Sequence, residues 1–339
     1  MKTYLITGGA GFIGSNYIHY LFEKYPHDTI QIINYDLLTY AGNLDNLKVF
    51  QHHPSYVFIQ GDVCDRKKIN TIFETYDIDY VVNFAAESHV DRSIDNPSIF
   101  IQTNVLGTQT LLDVAKKHWE GEDTFIRGKK FLQISTDEVY GSLGAHGYFT
   151  EKTPINPHSP YSASKASADL IVMAYYDTFG FPINITRCSN NYGPYQYPEK
   201  LIPLMILNAL NNRALPIYGD GKNVRDWLYV KDHCRGIETV LQKAQVGEIY
   251  NIGGHNEMEN KDIVDQIIRY LQERLKGQEA FDHITPDLIT YIEDRKGHDR
   301  RYAIDASKIE KDLGWRPQTT FELGLESTIE WYVTHYTQP

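Results

Sequence analysis

The stretch LITGGAGFIGS, Leu5 to Ser15, decides how this chain is read. An apolar run ends in glycines spaced Gly8-x-x-Gly11-x-x-Gly14, with Gly9-x-Gly11-x-x-Gly14 in the same frame. The segment GSNYIHYLFEKY follows, with Tyr17, Leu21 and Phe22 at helical spacing. Strand, glycine turn and helix in that order bring backbone N–H groups and a helix N-terminus to one point. That point suits a pyrophosphate. A lone glycine pattern is also what an ordinary strand-to-helix turn looks like, so a second feature is needed. Asp36 supplies it, ending the apolar run QIINYD 22 residues after Gly14. A carboxylate there binds ribose hydroxyls and disfavours a 2′-phosphate, so NAD is expected rather than NADP. A third feature is Gly61-Asp62-Val63 after the run YVFIQ, at the tip expected beside an adenine.

Outward from this unit the alternation continues. IDYVVNFAA, KKFLQIS and PINITRC are further apolar runs, and TNVLGTQTLLDVAKKH lies between two of them with a helical pattern. Strands alternating with helices imply an α/β fold with a doubly wound parallel sheet covered on both faces. After Cys188 the sequence becomes rich in Pro, Gly, Asn and Tyr (NNYGPYQYPEKLIP), and helical pieces mix with short strands such as EIYNIGG. This predicts a smaller mixed α/β C-terminal domain for substrate. The expected division is 1–187 with a returning segment near 222–250, against 188–221 with 251–339.

The bulk numbers exclude several classes. Of 339 residues, 44 are acidic and 33 are Lys or Arg, a net charge of −11. An acidic chain without basic blocks is a poor partner for nucleic acid or an anionic membrane. Cys64, Cys188 and Cys234 form no CxxC pair, and the 13 His include no HExxH, so neither a disulfide framework nor a metal site is expected. His52-His53 reads as a solvated pair. The run MKTYLITGG leaves no room for a signal peptide and no apolar run approaches a membrane span, so a cytoplasmic location is expected.

Two further groups carry chemistry. SPYSASK places Tyr161 and Lys165 at i and i+4, on one face if helical. An ammonium beside a buried phenol is expected to lower the phenol's pKa and make Tyr161 a base for a hydroxyl proton. In FLQISTDEVYG, Asp137 and Glu138 stand side by side at the end of an apolar run. On a continued strand they would face opposite ways. To serve one substrate the chain must leave strand geometry after Ser135. A solvated strand end is the plain alternative.

Taken together, TGGAGFIG, Thr136 and Tyr161-x-x-x-Lys165 resemble the extended short-chain dehydrogenase/reductase superfamily, with its Rossmann-type sheet. The strings DLLTYAGNLDNL, AAESHVDRSI, STDEVYG, RCSNNYGPYQYPEKLIP, PIYGDGKNVRDWLYV and GHDRRYAID extend the likeness over nearly the whole chain. They resemble the sugar-nucleotide dehydratases, and among them the dTDP-glucose 4,6-dehydratases, which supply deoxysugar pathways such as rhamnose. The resemblance implies a tightly held NAD that removes hydride from C4 of dTDP-glucose and returns it to C6. It implies Tyr161 as base at the C4 hydroxyl, Thr136 bonded to that oxygen, and Lys165 on the ribose and on Tyr161. Glu138 would take the C5 proton and Asp137 would protonate the leaving C6 hydroxyl.

Implied cofactor contacts are Gly8, Gly11, Phe12, Ile13, Gly14, Asp36, Asp62, Val63, Ala85, Ala86, Thr103, Tyr161, Lys165 and Asn191. Implied substrate contacts are Ser88, Thr136, Asn190, Lys200, Leu201, Pro216, Tyr218, Arg225, Asn260, Arg295 and His298, with Arg225 as a bidentate diphosphate clamp. A homodimer through helices near 103–118 and 161–179 is implied as well. Lys296 stands where the family usually has Pro, which frees φ in that loop. Three rival readings share the glycines: a UDP-sugar 4-epimerase, a GDP-mannose dehydratase, and a non-catalytic NAD-sensing module. An epimerase has no use for Asp137-Glu138, and a sensor none for Thr136, Tyr161 and Lys165 together.

Overall fold

A computed structural model describes residues 1–26, 29–122, 124–294 and 299–336. Seven strands make the main sheet: β1 (Lys2–Thr7), β2 (Ile30–Asp36), β3 (Tyr56–Gln60), β4 (Tyr80–Asn83), β5 (Lys130–Thr136), β6 (Ile183–Cys188) and, much later in sequence, Ile249–Ile252. Between the last two come β7 (Asn190–Tyr192), β8 (Leu215–Tyr218) and β9 (Val224–Tyr229). The strand Ile249–Ile252 is therefore β10, followed by β11 (Glu257–Glu259) and β12 (Ile289–Ile292). The main sheet runs β10-β6-β5-β4-β1-β2-β3, every neighbour parallel. Its direction of winding reverses between β1 and β4, so the loops after these two strands diverge and open a crevice at their carboxyl ends.

Both faces of the sheet are covered, which is why its strands are near-continuous apolar runs. One face takes α1 (Phe12–Lys24), α8 (Val230–Lys243) and α10 (Ser307–Leu313), through Tyr17, Ile18, Leu21, Ile237, Val240 and Ile309. The other takes α2 (Arg66–Thr75), α5 (Thr108–Trp119) and α6 (Pro160–Phe179), through Ile69, Ile72, Leu111, Leu112 and Val172. Two short helices, α3 (Val90–Asp95) and α4 (Pro97–Phe100), lead into a π-type stretch, Ile101–Gly107, before α5. A further core joins α7 (Leu201–Leu210), α9 (Asn260–Arg274) and α11 (Phe321–Tyr336) to the small sheets β11-β9-β7 and β12-β8.

Two local expectations change. The strand in EIYNIGG belongs to the main sheet, since β10 pairs with β6 from Ile249↔Ile185 to Ile252↔Cys188. NVRDWLYV does not return to that sheet as a strand, because β9 pairs with β7 and β11. Only the helix after it, α8, packs back, against α1. Short strands carry no mark of which sheet they join, whereas the apolar face of α8 fits the sheet's exposed side.

Part of the high Tyr content is explained by one anion. Glu238 on α8 is fully buried and accepts hydrogen bonds from the hydroxyls of Tyr4 (3.2 Å), Tyr17 (2.6 Å) and Tyr25 (2.5 Å). A buried carboxylate needs such donors, and three phenols supply them from β1 and from α1 and its C-cap.

Candidate active site

The crevice at the carboxyl ends of the strands is a single cleft. Its first wall is the glycine turn. Gly8 has φ +68°, and a Cβ there would meet the Ala85 backbone N at 2.6 Å. Gly14 packs so closely on the carbonyl of Gly8 that a side chain would collide with it. Gly11 differs. A Cβ there would touch only the Gly8 carbonyl, at 3.3 Å, and otherwise enter open space in the cleft. Gly11 is also the N-cap of α1 and makes no side-chain capping bond, so the helix's first N–H groups are left for a ligand. Asp36 braces this wall. Its Oδ2 accepts from Ala10 N at 2.9 Å and its Oδ1 from Leu38 N at 2.8 Å, while the residue lines the cleft.

The opposite wall is built at the end of β5. Thr136 caps a 3₁₀ turn, Asp137–Tyr140, so the chain leaves strand geometry immediately before the two acids. The Thr136 hydroxyl accepts from Glu138 N at 3.2 Å and donates to Asp137 Oδ1 at 3.3 Å. Asp137 is 1% exposed, and among the described residues its Oδ2 has no hydrogen-bond partner. Burial pushes its carboxyl far above the usual range, and Glu138 and Asp226 push the same way against Arg225. Glu138 is half-buried beside it. The pair is a buried carboxyl whose protonated form is favoured next to a more exposed carboxyl.

α6 supplies the third part. A capping box between Ser159 and Ser162, with Pro160 in the first turn, fixes where the helix begins and hence where Tyr161 points. Ser164 Oγ donates to the Tyr161 carbonyl at 2.7 Å and accepts from Asn104 Nδ2 at 2.8 Å, which ties α6 to the π-type stretch. Lys165, 4% exposed, donates from Nζ to the Ile134 carbonyl at 2.7 Å. Here one expectation is corrected. The Tyr161 phenol is pushed up, not down, by burial first, then by Glu138, Cys188 and Asp137. Lys165 is itself lowered by burial. The loss of water and three neighbouring acidic groups outweigh the hydrogen bond with Thr136.

The cleft gathers most of the expected residues. Gly8, Gly11, Phe12, Ile13, Gly14, Asp36, Asp62, Val63, Ala85, Ala86, Thr103, Asn191, Tyr161 and Lys165 all line it. So do Ser88, Thr136, Asp137, Glu138, Asn190 and Lys200. Leu201, Pro216, Tyr218, Arg225 and Asn260 do not. Leu201 opens α7, Pro216 and Tyr218 sit on β8, and Asn260 opens α9 with a buried Oδ1. Arg225 is 5% exposed, not held out as a clamp. It donates to the carbonyls of Val224 (2.8 Å) and Asp299 (2.9 Å) and stacks on the Tyr302 ring at 4.3 Å. Arg295 and His298, with Lys296, lie outside the described residues.

Comparison with known proteins agrees with this geometry. The family model described as GDP-mannose 4,6 dehydratase matches residues 5–328. A dTDP-glucose 4,6-dehydratase of Xanthomonas campestris pv. campestris (strain B100) is 50% identical over 338 residues, 99% of this chain and 95% of the relative. The chain belongs to the dTDP-glucose 4,6-dehydratase family. Two solved dehydratases of that family share its fold. One, from Bacillus anthracis str. Ames in complex with NAD, is 51% identical with a TM-score of 0.87, over 99% of this chain and 98% of the other. The second, from Streptomyces venezuelae with NAD and TYD bound, is 45% identical with a TM-score of 0.89 over the same shares.

In this family member the cleft also has residues that sequence reasoning passed over: Glu87, Cys188, Gln196, Tyr197 and Glu199. Glu199 is the most connected. Its Oε1 accepts from the Tyr40 hydroxyl at 3.0 Å, and its Oε2 lies 3.5 Å from Arg92 Nε and 4.0 Å from His89 Nε2. The Arg92 guanidinium stacks on the Tyr40 ring at 3.5 Å. The segments that follow β2, β4 and β7 are thus laced together across the mouth. The only signal in the sequence was position, since Glu87 falls inside AAESHVDRSI and the other four inside RCSNNYGPYQYPEKLIP.

Proposed function

We propose that this chain is an NAD-dependent dTDP-glucose 4,6-dehydratase, a hydro-lyase forming dTDP-4-keto-6-deoxyglucose. The observation that carries the reading is the buried Asp137, its carboxyl raised by burial, beside Glu138 and in one cleft with Tyr161 and Lys165. A 4-epimerase eliminates nothing and needs no such pair. The relatives at about half identity favour dTDP-glucose over a UDP- or GDP-sugar.

The cleft's other wall fits NAD, because Gly11 leaves open the space a Cβ would fill and the first turn of α1 is uncapped by side chains. Gly8, Gly11, Phe12, Ile13 and Gly14 hold the pyrophosphate, Asp36 the adenosine ribose, and Asp62 and Val63 border the adenine. Ala85, Ala86, Thr103, Asn191 and Lys165 border the nicotinamide half. When bound there, NAD takes hydride from C4 of the hexose and gives it back at C6.

The chain's own groups handle the protons. Tyr161 removes the proton from the C4 hydroxyl, whose oxygen Thr136 bonds, and Lys165 supplies the positive charge this needs. The C4 ketone acidifies C5–H, and Glu138 removes that proton. Hydroxide is a poor leaving group, so Asp137 delivers its retained proton to the C6 oxygen and water departs. Two adjacent carboxyls in unequal surroundings keep different protonation states, which the elimination requires.

Ser88 meets the glucosyl group, Asn190 the diphosphate and Lys200 the nucleotide. Leu201, Pro216, Tyr218, Asn260, Arg295 and His298 form the nucleotide end, and Arg225 joins them by exchanging its backbone carbonyls for phosphate oxygens. We assign the nucleotide-sugar domain to 188–221 with 251–339 and the NAD domain to the rest, β10 being shared at the seam. We also infer a homodimer through α5 and α6. Ile101, Leu106, Leu170 and Phe179 are half or more exposed, or close to it, along these helices and the π-type stretch before α5. No described helix is long and apolar enough to cross a membrane. A cytoplasmic location is supported by three free cysteines. The purified protein tested with dTDP-glucose gives a 4-keto product detected by alkali-induced ultraviolet absorbance. Turnover of UDP- or GDP-sugars alone would sink the substrate assignment.

A further inference from the structure

Beneath the floor of the cleft, buried polar side chains run from α6 to the turn that carries the acid pair. Tyr161, Lys165 and Asp169 follow each other at four-residue spacing on one face of α6, and all are buried. Asp169 Oδ2 accepts from Arg187 Nε at 2.9 Å, with the two side chains 0% and 3% exposed. Arg187 also donates to the Tyr140 hydroxyl at 3.0 Å, and its guanidinium carbon stands 4.9 Å from the centre of that ring. The Tyr140 hydroxyl in turn donates to Asn251 Oδ1 at 2.8 Å. Asn251 is itself held, through its amide to Glu151 Oε1 at 2.9 Å and its Nδ2 to the Phe149 carbonyl at 3.0 Å.

The ends of this chain matter. Tyr140 is the last residue of the 3₁₀ turn that begins at Asp137. Arg187 lies opposite Ser135 in the β5–β6 register, one step before Thr136↔Cys188 at the cleft floor. Among the described residues Asp169 Oδ1 has no hydrogen-bond partner, although the residue is fully buried on the face that carries Lys165. A buried ion pair is a weak stabiliser, because desolvation offsets most of the attraction. What a buried hydrogen-bonded network supplies is position.

We propose that Asp169 and Arg187 are positioning residues for the dehydration. They hold Lys165 and the Asp137–Glu138 turn in a single register, with Tyr140 as the contact on the turn. This rests on the site reading given above. The groups facing Lys165 are Tyr161 and Asp169 on its own helix, Cys188 on β6 and the Ile134 carbonyl on β5. Those facing Asp169 are Lys165 and Arg187. Arg187, Glu151 and Asp169 face Tyr140. Asp169 is the anion that favours the Lys165 ammonium against the burial that disfavours it.

The test uses the full-length, NAD-loaded protein. Tyr140→Phe keeps the ring and removes both hydroxyl bonds. The expected result is dehydration slowed about tenfold, with C4 oxidation within about twofold of the parent, so reduced nicotinamide accumulates during turnover. Asp169→Asn keeps an acceptor for Arg187 but removes the charge. Lys165, followed by NMR of carbon-labelled lysine, should then titrate at lower pH, and the alkaline limb of the oxidation step should move down with it. A Tyr140→Phe protein in which both steps keep parental rates, or lose the same factor, overturns the strut. A Lys165 titration unmoved in Asp169→Asn overturns the role of the charge. Lys165→Met is the control for the reading beneath the proposal: full turnover in that variant sinks the site assignment, whatever Tyr140→Phe does.

Discussion

The Glu138 amide donates to the Thr136 hydroxyl oxygen at 3.2 Å, and this bond converts the end of β5 into a 3₁₀ turn. Continued as a strand, Asp137 and Glu138 would have pointed to opposite faces. The turn sends the first into a buried position and leaves the second half-exposed on the same cleft. One side chain therefore sets both the geometry and the unequal environments of the pair.

If Glu138 is the C5 base, Glu138→Gln stops the reaction after oxidation. Product formation should fall by ~10²–10⁴, the usual worth of a positioned base, while C4 oxidation proceeds. Reduced-nicotinamide absorbance should rise on adding dTDP-glucose and persist. Near-parental product formation in this variant removes Glu138 from the base role.

Asp137 makes a prediction with two opposite signs. Its carboxyl is raised far above the ordinary range in the folded chain, so its favourable contribution to stability is complete below the unfolded pKa, roughly 4. That contribution is lost as pH rises through the folded value. Asp137→Asn carries no such loss. At neutral pH its unfolding midpoint should lie above the parent's, and the gap should close near pH 4. Its turnover should fall ~10²-fold or more, since the amide has no proton to give. Parallel thermal melts and rates at two pH values separate the effects. A midpoint that falls at neutral pH contradicts the buried-acid account.

The sequence made the central sheet and both walls of the cleft legible for specific reasons. Glycine at Gly8 and Gly14 answers to close backbone approach, and such approach tolerates few substitutes, so the motif stands out. Asp137-Glu138 was legible because adjacent acids after an apolar run are physically awkward. The small sheets were not, because a strand of three residues such as β7 or β11 has too few positions to declare its neighbours. The pKa direction of Tyr161 was misread because one partner, Lys165, was visible at helical spacing, while Glu138 and Cys188 come close only in three dimensions. Arg225 is expected near the diphosphate from the resemblance, and its bonds to the 299–300 carbonyls are invisible until the chain is folded.

The lacing across the mouth should govern how long the dinucleotide stays. Reduced cofactor must remain bound between oxidation at C4 and reduction at C6, and Arg92 joins Tyr40 to Glu199 over that site. Arg92 is half-exposed, so the pair alone is worth little, and the stacking on Tyr40 adds to it. Arg92→Ala should release NAD about threefold to tenfold faster, measured by transfer to an excess of a second dehydrogenase. The effect should shrink at high salt, which weakens the same contact in the parent. An unchanged release rate shows the loops are held by other bonds.

The exposed apolar side chains of α5, α6 and the π-type stretch make the assembly testable. Leu170 is 59% exposed, Ile101 52% and Leu106 50%, and scattered single exposures would need no explanation, but these lie on neighbouring helices. Ion pairs flank them, with Arg66 to Asp113 at 2.6 Å, as a polar rim would. A second copy meeting the same face by a two-fold axis would bury each patch against its equivalent. Leu170→Asp puts two carboxylates into such a seam, so sedimentation should show a monomer where the parent is a dimer. Because Leu170 points away from the buried face that carries Tyr161, Lys165 and Asp169, the variant should still bind NAD. Residual turnover then measures what the partner contributes to the rigidity of α6. If the parent sediments as a monomer at assay concentration, the dimer is wrong, and the patch has some other occupant.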